Sequence, residues 1–443
     1  MKKSRYFRMT VILAPLLLLV LSSPSAIGAE LSPGTIITKD NADLVSDLVP
    51  EAVLKRLKTG EYIIKIGQIS PASLASVYSK AFYEASESNK GKYKLDKRGG
   101  IVDESGKRPT LGPGYPFPAL DTSDSEAGAK IMWNYAASEF QTVSQEVMFL
   151  LKTFKGYTVD VSVIARGARV SNDFRPGTTK AEGITYKELS IYLSPADIFG
   201  TVNLTWRWQD PTKWDSIWAY VPSLRRVRRV SAANRSDTVG ATDYMTDDIN
   251  GYAGKVEFFD WKLLKTGEML LTYIPDSADS STVTFPKAGE AIPRRGKKAF
   301  MQPRFKTTWG YQEEPRTHAA WWPTNVIWVK RPVFIVEGKS RDPYYSVGTQ
   351  QLIIDRETYR IHMKLGWDRA GTYWRTQVMT QGYYVSPDKT VAAPAAEISC
   401  LIDEKQNRAS TSDRTDAEVT PTIFNIDIDP QLFSISNFVN YGK

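Results

Sequence analysis

Thr201-Val202-Asn203-Leu204-Thr205-Trp206-Arg207-Trp208 alternates apolar and polar residues without a break. Successive side chains of a β-strand point to opposite faces, so Val202, Leu204, Trp206 and Trp208 share one face of a sheet. Thr201, Asn203, Thr205 and Arg207 share the other. The same period of two recurs from about residue 144 onward. It predicts strands at about 157–165, 186–194, 216–221, 224–230, 256–264, 268–274, 326–336, 347–355, 358–366 and 372–384. In the strand expected at 358–366, Tyr359, Ile361, Met363 and Leu365 alternate with Arg360, His362 and Lys364. The second set reads as a polar face, with His362 solvated. Short turns such as Asp355-Arg356-Glu357-Thr358 and Asp368-Arg369-Ala370-Gly371 join these strands, which favours an antiparallel meander over parallel βαβ units.

Upstream of the strands the pattern is helical. Asn41 to Lys58 carries Leu44, Val45, Leu48, Val53, Leu54 and Leu57, interrupted by Pro50. Ser70-Pro71 opens a second helix through Leu74, Val77, Tyr78 and Phe82, with proline in a favourable first-turn position. A third runs from Asp124 to Gln141, with Ser123 and Glu126 spaced as a capping box. Arg98-Gly99-Gly100 marks a hairpin turn in the turn-rich stretch between them.

The chain has 443 residues, one Cys and two His, with a formal charge of +8. A single Cys excludes an intramolecular disulfide framework and Cys-clustered metal sites, and two His leave little for a His-rich catalytic metal centre. Residues 1–29 read as a secretory signal peptide: Lys2, Lys3, Arg5 and Arg8 precede the apolar run Val11 to Leu21, and small residues lead to a cleavage site near Ala29. Without that segment Lys+Arg falls from 57 to 53 against 49 Asp+Glu, a net charge of +4, which does not favour general nucleic-acid binding. No later segment reaches the length of an apolar membrane span, so a soluble exported protein is expected.

Two long segments, 231–255 and 275–323, interrupt the strands, and the second holds the basic patch Arg294-Arg295-Gly296-Lys297-Lys298. Loops of this length are usually lids or docking surfaces, or else disordered. The organisation expected is a signal peptide at 1–29, one domain at 30–395 and a C-terminal extension, 396–443, packed on that domain.

Catalytic signatures are missing. There is no Gly-x-Ser-x-Gly elbow and no His-Glu-x-x-His helix. His318 lies beside Ala319, Ala320, Trp321 and Trp322 with no nucleophile nearby in sequence, Asp427 and Asp429 share a face of a short predicted strand, and Cys400 lacks a basic neighbour. No catalytic residue, metal or cofactor is expected. Arg225-Arg226-Val227-Arg228-Arg229 places Arg225 and Arg229 on one strand face and Arg226 and Arg228 on the other. The run suits charge pairing with the acidic loop 237–248, or contact with an anionic head group or a partner. The Trp-rich block Trp206, Trp208, Trp214, Trp218 and Tyr220 reads either as core or as the wall of a cavity, since sheets of about ten strands tend to curl.

Trp218-Ala219-Tyr220-Val221-Pro222-Ser223-Leu224-Arg225-Arg226-Val227-Arg228-Arg229 resembles a segment of LolA/LolB-like periplasmic lipoprotein carriers. More specifically, Tyr115-Pro116-Phe117-Pro118, Gly128 to Asn134, Gly251-Tyr252-Ala253-Gly254 and Phe259-Asp260-Trp261-Lys262-Leu263 resemble the domain-of-unknown-function 1329 family over about residues 30–390. The resemblance implies an α+β fold: a large curved antiparallel sheet, a LolA/LolB-like half-barrel, wrapped over a few helices around an apolar cavity. It implies no catalytic residues. It also implies hydrophobic cargo handled beside a resistance–nodulation–division type exporter and outer-membrane partners. The chain departs from LolB in lacking a lipid-attachment Cys, and its two long segments exceed a minimal carrier.

The expected cavity wall is Val202, Leu204, Trp206, Trp208, Trp218, Tyr220, Trp328, Tyr359, Ile361, Met363 and Trp374, with Arg225, Arg226, Arg228 and Arg229 as head-group or partner contacts. The partners expected are a lipid or other hydrophobic small molecule and an envelope transporter or outer-membrane protein. The alternative is a glycan-binding module or an envelope hydrolase, in which Trp206, Trp208 and Trp218 would be exposed stacking platforms. A third reading is a structural partner of an envelope complex that docks through 294–298.

Overall fold

The computed structural model describes residues 31–109, 111, 114–140, 145–171, 183–210, 212–231, 235–275, 299–386, 389–426 and 428–441. The signal peptide, the patch 294–298 and Asp427 lie outside the described residues.

Two short strands, β1 (Ile36–Ile37) and β2 (Ile64–Ile66), flank helix α1 (Glu51–Lys58), which begins immediately after Pro50. Helices α2 (Pro71–Ala75) and α3 (Lys80–Ser88) are each capped by a serine, with Ser70 Oγ accepting from Ser73 N and Ser79 Oγ from Phe82 N. The second expected helix is therefore two. The hairpin β3 (Lys94–Leu95) and β4 (Ile101–Val102) turns at Gly99, as expected. Helix α4 (Ala127–Phe140) follows; the Asp124 side chain, not Ser123, accepts the Glu126 N–H before it.

The remaining strands are β5 (Gln145–Lys155), β6 (Thr158–Ser171), β7 (Ile184–Ser194), β8 (Val202–Trp208), β9 (Ser216–Val221), β10 (Arg226–Val230), β11 (Phe259–Tyr273), β12 (Phe300–Met301), β13 (Ile327–Ser340), β14 (Val347–Asp355), β15 (Ile361–Asp368), β16 (Tyr373–Val385), β17 (Ala392–Asp403), β18 (Arg408–Asp413) and β19 (Ile423–Phe424). Apart from β3 and β4 they form one 17-stranded sheet with β1 and β2. Its antiparallel backbone runs β10, β9, β8, β7, β6, β5, β18, β17, β16, β15, β14, β13, β11. The far end curls back, so that Tyr273 of β11 pairs with Gln381 of β16. Strongly twisted sheets of this size curl rather than stay open.

The fold is thus the α+β curved sheet over a few helices that the resemblance implied. Helix α4 lies against β11, and Gly128 permits the approach: a Cβ there would come 2.7 Å from the backbone of Lys262 and Leu263.

Several sequence expectations are corrected. The strands expected at 256–264 and 268–274 are one strand, with a register shift between Leu263 and Lys265. The boundary expected at 395 falls inside β17; with β18, this strand joins β16 to β5 in mid-sheet, so residues 396–413 are part of the sheet. The polar face read at Arg360, His362 and Lys364 is not solvated, for all three are buried. In that half of the sheet both faces are covered, which a period-2 pattern alone does not reveal.

Candidate functional site

The predicted cavity residues fall into three groups rather than one. Val202, Leu204 and Tyr220 are buried, and Trp206 and Trp218 half-buried, in a cluster with Ala168, Leu189, Ile191, Phe433 and Phe438. Cross-strand register sets this face: Ile191, Val202, Tyr220 and Val227 lie in one row, and Ala168, Leu189, Leu204 and Trp218 in the next. The Trp206 and Trp218 rings meet edge to face at 5.0 Å. What covers the face is the C-terminal segment, through Leu432, Phe433, Ile435, Phe438 and Tyr441.

Trp208, at the end of β8, is separate. It donates to Ser216 Oγ at 3.0 Å and lines a mainly apolar cavity of about 100 Å³ with Ile101, Leu111, Trp133, Ala136 and Val256. Lys255 also lines it, and burial lowers its ammonium pKa to about 8, partly offset by Asp215. Small-molecule sites usually span ~300–1,000 Å³, so this one is small. A second cleft, about 370 Å³, is more polar and lies between Lys90, Tyr93, Phe117, Asp121 and Lys130.

Trp328, Tyr359, Ile361, Met363 and Trp374 belong to the main core or pack against it. Trp328 stacks under Trp322, which in turn stacks on Tyr62 at 3.6 Å. Tyr359 is not on a strand; it sits in the turn before β15 with φ +53° and packs on Tyr115 at 4.6 Å. Ile361 and Met363 do not share a face. The register shift at His362 pairs Ile361 with Ile354 and Met363 with Ile353, adjacent positions that point opposite ways. Trp374 is half-buried, donating to Asp403 at 3.0 Å beneath Arg375 and Lys405.

Arg225, Arg226, Arg228 and Arg229 are exposed. Arg225 adopts a left-handed turn conformation, and the others lie on β10, whose partner is β9. Among the described residues they form no ion pair with the acidic loop. Three of its carboxylates are taken elsewhere: Asp247 by Arg235 at 2.5 Å, Asp248 by Lys364 at 2.8 Å and Arg375 at 2.6 Å, and Asp243 by Arg408 at 3.3 Å. Asp215 joins Arg207 at 2.7 Å and Arg235 at 3.0 Å, and both arginines donate to the Ala253 carbonyl. Burial works against charge on Asp215 and Asp248, but the adjacent cations outweigh it and hold both carboxyls below their usual range. Residues 235–255 are therefore stapled between the two halves of the sheet by buried ion pairs, an arrangement unlike a mobile lid.

Among the residues tested as catalytic candidates, His318 is half-buried with its Nε2 3.8 Å from Glu313, and Cys400 is buried with its thiol on the Trp321 carbonyl. Asp429 caps a short helical turn instead of lying on a strand. Among the described residues no group of three or more His, Cys, Asp or Glu is placed to hold a metal, and no helix is long and apolar enough to cross a membrane.

These features define a class: a large curved-sheet protein with one apolar sheet face covered by a separate segment of its own chain. The chain belongs to the DUF1329 family, a family of proteins of unknown function, whose model matches residues 36–437. Among solved structures it is similar to a Vibrio parahaemolyticus domain named for outer membrane lipoprotein sorting, at 16% identity and TM-score 0.47 over 71% of this chain and 99% of that one. A DUF1329 family protein from Desulfovibrio piger matches at 11% identity and TM-score 0.47, covering 71% and 98%. A LolA superfamily protein from Nitrosomonas europaea matches at 12% identity and TM-score 0.38, covering 68% and 94%. No curated protein matches the chain.

Proposed function

We propose that this protein is a periplasmic carrier or binding protein for a lipid or other apolar molecule, working with a resistance–nodulation–division type exporter and outer-membrane partners. One observation carries the reading: the apolar face built by Val202, Leu204, Trp206, Trp218 and Tyr220 is covered by a chain segment and not by the body of the core. Apolar surface gains about 0.8 kcal/mol per buried CH₂, so a sixteen-carbon chain gains roughly 12 kcal/mol before ordering costs. Release then requires a conformational change or a partner that favours the unloaded state. The exposed Arg225, Arg226, Arg228 and Arg229 are the proposed contact for an anionic head group or a partner protein. Trp206 and Trp218 are half-buried beneath the C-terminal segment, which favours this reading over a glycan platform.

Purified protein extracted with organic solvent is expected to yield co-purifying lipid by mass spectrometry. A clean extract, together with no binding of fluorescent fatty acids or lipids, would overturn the reading.

A further inference from the structure

The face beneath the C-terminal segment has a second character besides being apolar. Its apolar residues extend from Ala168 and Val170 on β6, through Leu189, Ile191 and Leu193 on β7, to Val227 on β10. Four inter-strand steps of ~4.8 Å make this stripe about 19 Å wide. One leaflet's acyl layer is about 15 Å, half of a ~30 Å hydrocarbon core, so a single acyl chain fits along it.

One border of the stripe is cationic. Lys187 pairs across the ladder with Trp206, and its Nζ lies 4.6 Å from the indole centroid. On the other side Arg229 pairs with Trp218 and reaches Ser216 Oγ at 3.3 Å, beside Trp206. Among the described residues neither cation has a carboxylate partner. Between them the Trp206 indole N–H is buried and, among the described residues, has no acceptor. A buried donor without a partner carries a free-energy cost, so it marks a place where an acceptor belongs. Burial lowers the Lys187 pKa and, among the described residues, no acid offsets it, the opposite of what an internal ion pair would do.

The cover is of a kind that can leave. Among the described residues, the hydrogen bonds of residues 430–441 go no further than Asp429: Gln431 N and Leu432 N bond to Asp429, Ser434 N to Gln431 O, Asn437 Nδ2 to Gln431 O, and Tyr441 Oη to Leu432 O. Phe433 and Phe438, buried to 1% and 0% exposure, attach it to the sheet through apolar contact. Among the described residues, removing residues 430–441 breaks no hydrogen bond to the strands, and another apolar chain can restore the burial.

We infer that the groove under residues 430–441 is the binding site for a single-chain anionic amphiphile: its acyl chain replaces Phe433 and Phe438, and its carboxylate or phosphate head is received by Lys187, Arg229 and the Trp206 N–H. The inference rests on the carrier reading and gives it a site, a ligand charge and a resident competitor. Until a ligand arrives the segment keeps the stripe out of water, so the unloaded protein does not expose an apolar patch that promotes association.

The test is calorimetric titration of the mature full-length chain with dodecanoate, dodecyl phosphate and neutral dodecanol, each below its aggregation concentration. The variants are Phe433→Asp/Phe438→Asp, the milder Phe433→Ser/Phe438→Ser in case the first does not fold, and Lys187→Glu/Arg229→Glu. Loosening the cover is expected to tighten binding of both anionic probes at least tenfold. Charge reversal is expected to weaken them at least tenfold and leave dodecanol within twofold. The dodecanoate and dodecyl phosphate arms tell a carboxylate head from a phosphate head, and preference for either over dodecanol supports the site. Loosened variants that bind no tighter, or an anion preference untouched by charge reversal, overturn it. If lipid still co-purifies with the wild type in that case, the carrier reading stands while this site falls. If no variant binds any probe and no lipid co-purifies, both fall.

Discussion

The sheet has two halves that bury apolar surface in different ways. From β14 to β17, side chains on both faces are enclosed by parts of the chain that the fold cannot release. One face meets Trp321 and Trp322, and the other meets the segment 235–258, which is clamped by the buried pairs of Asp247 and Asp248. From β6 to β10, the face carrying Arg207 is clamped by Asp215 and Arg235, while the opposite face is closed by a segment attached through apolar contacts. Burial alone therefore does not separate core from binding surface. Leu204 and Leu352 are equally inaccessible at 0% exposure, yet they differ in whether the neighbour that hides them can depart at small cost.

This contrast predicts a graded series of effects. The largest belongs to the clamp: Asp248→Ala leaves Lys364 and Arg375 buried without their shared carboxylate, and breaking a buried pair on one side costs about 3–5 kcal/mol. Chemical denaturation should show that loss; a change below about 1 kcal/mol would mean the segment 235–258 is not clamped as described.

Next comes a pH effect in the same half. Burial pushes His362 down to about 3 from its ordinary value of 6.5, partly offset by Asp355. The unfolded chain therefore takes up a proton below pH 6.5 that the folded chain refuses until about pH 3. Its contribution to stability is present above pH 6.5 and falls by about 1.4 kcal/mol per pH unit down to the folded pKa. His362→Leu should flatten the stability profile between pH 6 and about 4 by that slope; an unchanged slope would place the titrating groups elsewhere.

Smaller still is the expected cost in the covered half. A buried Phe→Ala in an integral core costs about 3–5 kcal/mol. Phe438→Ala should cost the global fold less than about 2 kcal/mol, because detachment of the segment caps the penalty. Hydrogen exchange should show opening confined to residues 428–441 and the face of β7–β9. A full core-sized loss with global opening would erase the distinction between the halves. The smallest effect belongs to the edge: Arg228→Ala should change stability by no more than about 0.5 kcal/mol, since its side chain is exposed.

Much of the architecture was legible along the chain. The alternation in Thr201 to Trp208 and the turns at Asp355 and Asp368 predict strands and antiparallel connections that the structure contains. Ser70 likewise marks a helix start, whereas the helical run expected from Asn41 to Lys58 is an α-helix only after the Pro50 break. The candidate site was only partly legible. Its apolar half, Val202, Leu204, Trp206, Trp218 and Tyr220, follows from period-2 reading. Lys187 and Arg229 are ordinary charged residues until register sets them on either side of Trp206. Phe433 and Phe438 sit in a tail that could have packed anywhere. Trp328, Ile361 and Met363 look the same in sequence as the groove residues, because alternation reports which side a residue faces and not what faces it.

Local residue order by itself determined where strands and helices form and which positions are apolar, because backbone geometry and side-chain periodicity act over a few residues. Tertiary structure alone decided the bulge that sends Ile361 and Met363 to opposite faces, the burial of His362, and the meeting of the C-terminal aromatics with a stripe more than two hundred residues away. Those outcomes depend on packing between distant segments, where the gain comes from apolar area jointly removed from water, and no short window of sequence contains both surfaces.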